Sequence, residues 1–146
     1  SPDSEAWKNS QLVVDSDIRF RIAFTDKVTK EMYVSYSFIG HKGNSVASTG
    51  KIQITEQVEI DGVMYYCMMI DGLVVADAAH MYDENTDFFI EVKVYAKEND
   101  ATPVYSFTDS LKDYATRLQD TDVVYKMFMR FSESSHYYLH SRGGTQ

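Results

Sequence analysis

Apolar and polar side chains alternate along most of the chain before Val104, and a period of two predicts β-strands. Ile18, Phe20, Ile22 and Phe24 alternate with Arg19, Arg21 and Ala23, which predicts a half-buried strand with a basic outer face. Met32, Val34, Tyr36 and Phe38 share one side of the next run, with Tyr33, Ser35 and Ser37 on the other. A Gly-, Ser- and Asn-rich loop over 40–50 follows. Ile52 and Ile54 then share a face, and Val58 and Ile60 resume after an irregularity. Asp61-Gly62 predicts a tight hairpin, because both turn positions need positive φ. The next run, Val63–Ile70, is apolar on both faces, the pattern of a central strand covered on both sides. Asp71-Gly72 marks a further turn, and residues 73–81 fit either a short helix or an irregular strand. Phe88, Ile90, Val92, Val94 and Ala96 form the last clean alternation, with Glu91, Lys93, Tyr95 and Lys97 on its exposed face.

Beyond Val104 the period changes. Residues 103–107 read as a short extended run, and Thr108 and Asp109 can accept hydrogen bonds from a helix start. Leu111, Tyr114, Ala115 and Leu118 then fall on one helical face, with Lys112, Asp113, Thr116 and Arg117 opposite. Asp120, Thr121 and Asp122 interrupt the pattern and can cap a second helix. There Val124, Met127, Phe128, Phe131, Ser135, Tyr138 and Leu139 keep helical spacing, and Gly143 and Gly144 end the ordered part. Two amphipathic helices joined by a short link pack as an antiparallel hairpin against another layer. The expected fold is therefore α+β: an antiparallel β-sandwich or curled sheet of about six to seven strands with a C-terminal two-helix hairpin. Residues 1–10 are polar and read as a tether. Residues 11–142 read as a single domain, β-rich over 11–107 and helical over 108–141.

The run Tyr105-Ser106-Phe107, then Lys112-Asp113-Tyr114-Ala115 and Leu118, resembles a tail pattern of uncharacterised extracellular multidomain proteins of gut Clostridia, the Lachnospiraceae and Ruminococcaceae. Those tails carry a "YSYSVKDYA" run with a later Leu. The preceding Tyr65-Tyr66, the Ile70-Asp71-Gly72-Leu73 turn and the run from Ile90 to Ala96 are similar to the same family, so the likeness spans roughly 50–140. It departs at the end, where Phe131-Ser132-Glu133-Ser134-Ser135-His136-Tyr137-Tyr138-Leu139 replaces the usual Tyr-Gly-Ala run. Two extra residues also lie between Phe107 and Leu111 by comparison with that pattern. The resemblance implies an accessory module, extracellular or on the bacterial cell surface, in proteins of Firmicutes. It implies no activity, because the tail has no assigned chemistry and its recurring Tyr114, Ala115 and Leu118 fall on the core face of the helix.

Composition narrows the function classes. A chain of 146 residues is large enough to bury a core unaided. Its net charge of −8, from 14 basic and 22 acidic residues, argues against nucleic-acid backbones and anionic membrane surfaces. No stretch reaches the length of a membrane span. The single Cys67 has no internal disulfide partner, which suits a bacterial surface protein. The start, Ser1-Pro2-Asp3-Ser4, is compatible with a mature or excised fragment, so the lack of a signal peptide does not argue against export.

Candidate chemistry is sparse. Asp83, Asn85 and Asp87 have the spacing that opens a calcium loop, but Phe88 and Val94 stand where glycine and a closing glutamate are needed. His136 and His140 could face one metal from a helix, yet no further ligand is near them in sequence. Cys67, with His41 or His80 as base, lies in the most apolar strand and outside any cysteine-enzyme signature. No nucleophile elbow and no phosphate-cradling glycine loop occurs. No catalytic, metal or cofactor site is therefore expected. Eleven Tyr, eight Phe and one Trp leave rings on polar faces, and a planar ring beside Asp, Asn or Lys suits a sugar. Trp7, Tyr33, Tyr66 and Tyr95 are the expected ligand-binding rings, with polysaccharide or another protein domain as partner. The expected function is a non-catalytic accessory module that binds glycan or serves adhesion and scaffolding. The alternatives are a small acidic immunity or inhibitor protein that blocks a protein partner, and an enzyme with an unrecognised site.

Overall fold

The computed structural model describes residues 2–14, 18–39, 49–71 and 89–118. Among these are eight strands: β1 (Trp7–Val14), β2 (Ile18–Phe24), β3 (Tyr33–Ile39), β4 (Ile52–Gln53), β5 (Gln57–Ile60), β6 (Val63–Ile70), β7 (Phe89–Tyr95) and β8 (Tyr105–Asp109). One helix, α1 (Leu111–Leu118), follows. The strands form two four-stranded sheets, in the orders β1-β2-β6-β5 and β4-β3-β7-β8, and every pairing is antiparallel.

The alternating residues do what their period predicts. Phe20, Ile22 and Phe24 are fully buried, as are Val34, Ile90, Val92 and Val94. These side chains join Tyr36, Phe38, Met68, Ile70, Phe107 and Leu111 in one hydrophobic cluster drawn from both sheets. Phe24 on β2 meets Phe107 on β8 edge-on, with ring centroids 6.2 Å apart. On the other face of β2, Arg21 Nη2 donates to Gln11 Oε1 of β1.

The hairpin signal is explicit in the backbone. Asp61 has φ 52° and Gly62 has φ 83°, both left-handed, and Ile60 pairs with Val63 across them. A Cβ on Gly62 would meet no atom within 4 Å, so a side chain there adds backbone strain and no clash. Gly62→Ala should therefore cost about 1 kcal/mol in a denaturant titration, whereas Asp61→Gly should be close to neutral.

Several expectations need correction. Trp7 to Ser10, read as part of a polar tether, belong to β1, and Pro2 and Ala6 ahead of them are buried. Those polar side chains hid a strand whose inner residues, Ser10 and Leu12, include a buried serine. β6 is central, between β2 and β5, but covered only in its second half. Val63 is 52% and Met64 54% exposed, because they stand beside the hairpin turn. The helix cap is Ser110, not Thr108 or Asp109. Ser110 Oγ accepts from Asp113 N at 3.1 Å, while Thr108 and Asp109 still belong to β8. Leu111 is buried, but Leu118 is 46% exposed and Arg117 turns inward in its place. The second helix of the expected hairpin lies outside the described residues.

Candidate functional site

A groove of about 650 Å³ opens on the described surface between the β2–β3 connection and the start of β6. Its floor is Phe24 and Val28, which are themselves buried. One wall is the connection after Phe24. Two backbone bonds shape that wall as successive turns, Val28 N to Thr25 O at 3.1 Å and Met32 N to Thr29 O at 3.1 Å. The opposite wall is Val63, Met64, Tyr65 and Tyr66, with Gln57 beside them on β5. The accessible lining thus combines two phenol rings and two exposed apolar side chains with hydroxyl, amide and charged groups.

Lys8 reaches the same groove through an irregularity in β1. Trp7 pairs with Phe24 and Asn9 with Ala23, so Lys8 is the extra residue of a β-bulge. Bulges re-aim side chains, and here the Lys8 ammonium lies over the Tyr65 ring, 5.1 Å from its centroid. Lys8 and Lys30 face Asp26 and Glu31 around the groove, so its described charged groups balance.

The four rings expected to bind ligand are not brought together. Tyr66 is half-buried and lines the groove. Tyr33 and Tyr95 are direct cross-strand partners, but in the other sheet. Tyr95 was expected on an exposed face and is only 8% exposed. Lys51 covers it, with its ammonium 3.9 Å from the ring centroid and donating to the carbonyls of Glu98 (2.9 Å) and Asp100. Trp7 is also engaged: its Nε1 donates to Ser10 Oγ at 2.9 Å, and the Arg117 guanidinium lies 4.9 Å from its ring centroid. Tyr65 and Lys8 were missed as site residues. The tandem Tyr65-Tyr66 after an Asp-Gly turn was the available signal; the bulge that delivers Lys8 had none.

No family model, curated protein or solved structure matches this chain.

A second constellation looks catalytic in composition but is saturated. Asp109 is completely buried. Its Oδ1 accepts from Ser110 N and Arg117 Nη1, each at 2.9 Å. Its Oδ2 accepts from Ser10 Oγ at 2.6 Å and Arg117 Nη2 at 2.9 Å. Four donors fill the lone-pair positions of a carboxylate, leaving none for a substrate proton. Tyr114 OH accepts from Leu12 N at 3.3 Å, adding a second tie between α1 and β1. The cluster is a clasp that fastens β1, β8 and α1 together.

Cys67 is 3% exposed, and burial pushes its thiol up, with Glu56 adding to the rise and Arg21 opposing it. A thiol kept protonated is a poor nucleophile. Cys67 should therefore resist iodoacetamide in the native protein near neutral pH and react once denaturant unfolds it. Rapid native alkylation would contradict that placement. His41, His80, the Asp83–Asn85–Asp87 run and the His136–His140 pair lie outside the described residues. Among the described residues, no group of three His, Cys, Asp or Glu side chains could hold a metal. Also among them, no helix is long and apolar enough to cross a membrane.

Proposed function

We infer that this chain is a non-catalytic extracellular accessory module of a bacterial surface or secreted protein, and that it contacts its ligand through the groove beside Tyr65. The observation that carries this reading is the groove itself. Exposed Val63 and Met64 stand beside two tyrosine rings and a bulge-directed lysine, over a buried floor from the core. Such a surface binds without needing an acid, base or nucleophile. The saturated Asp109 and the buried Cys67 thiol support a binding role over a catalytic one. In this reading the two sheets pack as a β-sandwich, supported by their shared core and the Phe24–Phe107 contact. The helix α1 is then the first half of a hairpin docked at the sandwich's edge.

The same groove gives weight to a second reading, an acidic protein that blocks a protein partner. Val63 and Met64 are the apolar contacts such a partner would cover, and the net charge of −8 would steer a basic one. Met64→Asp tests the shared premise. It lies on an exposed side chain, so the melting temperature should stay within a degree or two. Retention on immobilised polysaccharide, or on a neighbouring domain of the parent protein, should fall sharply. Undiminished retention of the folded variant would remove the groove from the reading.

A further inference from the structure

The geometry points to an uncharged oligosaccharide as the occupant of this groove, an assignment that rests on the groove being the contact surface. Three features select that class. The first is charge. The whole chain carries −8, yet the groove's described charged groups are two lysines against one aspartate and one glutamate. A polyanion would meet the repulsion of the whole chain with no positive field in the groove to offset it. A cationic peptide would meet the Lys8 ammonium beside the ring it needs. A neutral ligand meets neither obstacle.

The second feature is the texture of the lining. Phe24 and Val28 are sealed beneath the surface, so the accessible apolar area is broken up. An amphipathic helix needs a continuous apolar stripe, and Thr29, Gln57 and the charged side chains interrupt one here. Sugar rings present alternating CH faces and hydroxyl edges, and phenol rings interleaved with donors and acceptors match that alternation.

The third feature is the bulge. A regular β1 would keep Lys8 in the alternation of the strand; the extra residue sends it to Tyr65 instead. There it holds one face of the ring and keeps donors free for a hydroxyl, since a lysine ammonium has three. The Lys8–Tyr65 pair is thus a stacking platform with an adjacent hydrogen-bond donor.

Affinity electrophoresis of the full chain through gels containing neutral β-glucan, xylan or mannan, and separately polygalacturonate, tests the assignment. The expected result is retardation by at least one neutral polymer and none by polygalacturonate. Retardation should persist from low salt to about 0.5 M, because stacking and hydroxyl bonds are barely screened. Tyr65→Ala should weaken binding about tenfold, and Lys8→Ala less, while Tyr33→Ala in the other sheet should leave it unchanged. Melting curves for each variant separate lost binding from lost folding. Preference for polygalacturonate, or binding abolished by salt, would overturn the uncharged ligand while leaving the groove. No retardation by any polymer would also overturn it, and the groove would then stand only if Met64→Asp disrupts a parent-domain contact. Retardation unaffected by Tyr65→Ala in a folded variant would overturn both the ligand and the groove.

Discussion

Arg117→Ala should lower the unfolding free energy by about 3–5 kcal/mol, the usual cost of leaving one partner of a buried ion pair alone. The carboxylate of Asp109 has no solvent exposure, and Arg117 supplies two of its four hydrogen bonds. Ser10 Oγ and Ser110 N would remain, so the loss is large but not complete. Removing both charges is a different experiment. Asp109→Asn combined with Arg117→Ala should be less damaging than Arg117→Ala alone, because no uncompensated charge is then buried. The indole of Trp7 reports on the same event. Arg117 lies over its ring, so the substitution should shift Trp7 emission toward that of a solvated indole in the native state. A stability change below 1 kcal/mol would mean that the clasp is not holding these elements together.

Phe24→Ala should cost a similar amount, about 3–5 kcal/mol, for a different reason. The ring is fully buried, and its removal leaves a cavity in the hydrophobic cluster as well as lost transfer energy. Phe107→Ala should be comparably harmful. The pair should couple by roughly 0.5–1.5 kcal/mol in a double-mutant cycle, because the rings touch edge-on at 6.2 Å. That coupling is the direct energetic signature of two sheets sharing one core. Additive losses would mean that the rings report separate environments.

Phe24 and Arg117 differ in how far the local sequence determines their place. Phe24 was legible because burial follows a period of two, and a phenylalanine at the inward step of an alternating run has no other place to go. The Asp61-Gly62 turn was legible because few residue pairs accept two left-handed positions in succession. Arg117 was not legible. On a helical wheel it belongs with Lys112, Asp113 and Thr116, and only a partner on β8 turns it inward. Asp109 looked like a helix cap for the same reason, since a carboxylate before a helix usually serves one. The buried Ser10–Asp109 bond joins residues 99 positions apart, beyond the reach of any local pattern.

Trp7, Tyr33, Tyr66 and Tyr95 illustrate the corresponding limit for sites. Sequence alternation can say that a ring points away from the core, as for Tyr33 and Tyr95. It cannot say that Lys51 will lie across Tyr95 or that Arg117 will cover Trp7. Nor does it place rings from different strands on a common surface. Tyr66 alone of the four reaches the groove, and its companions there are Tyr65 from the same strand and Lys8 from a bulge. One inserted residue in β1 decides that meeting, and nothing in the local sequence marks the insertion.

Occupation of the groove can be read residue by residue from amide chemical shifts of the ¹⁵N-labelled chain titrated with soluble neutral gluco-, xylo- and manno-oligosaccharides. Fast-exchange shifts should concentrate at Lys8, residues 25–31, Gln57 and residues 63–66, with Tyr33 and Tyr95 unmoved. Shifts centred on the Tyr33–Tyr95 face, or no shift in the groove at saturating concentrations of all three ligands, would contradict it.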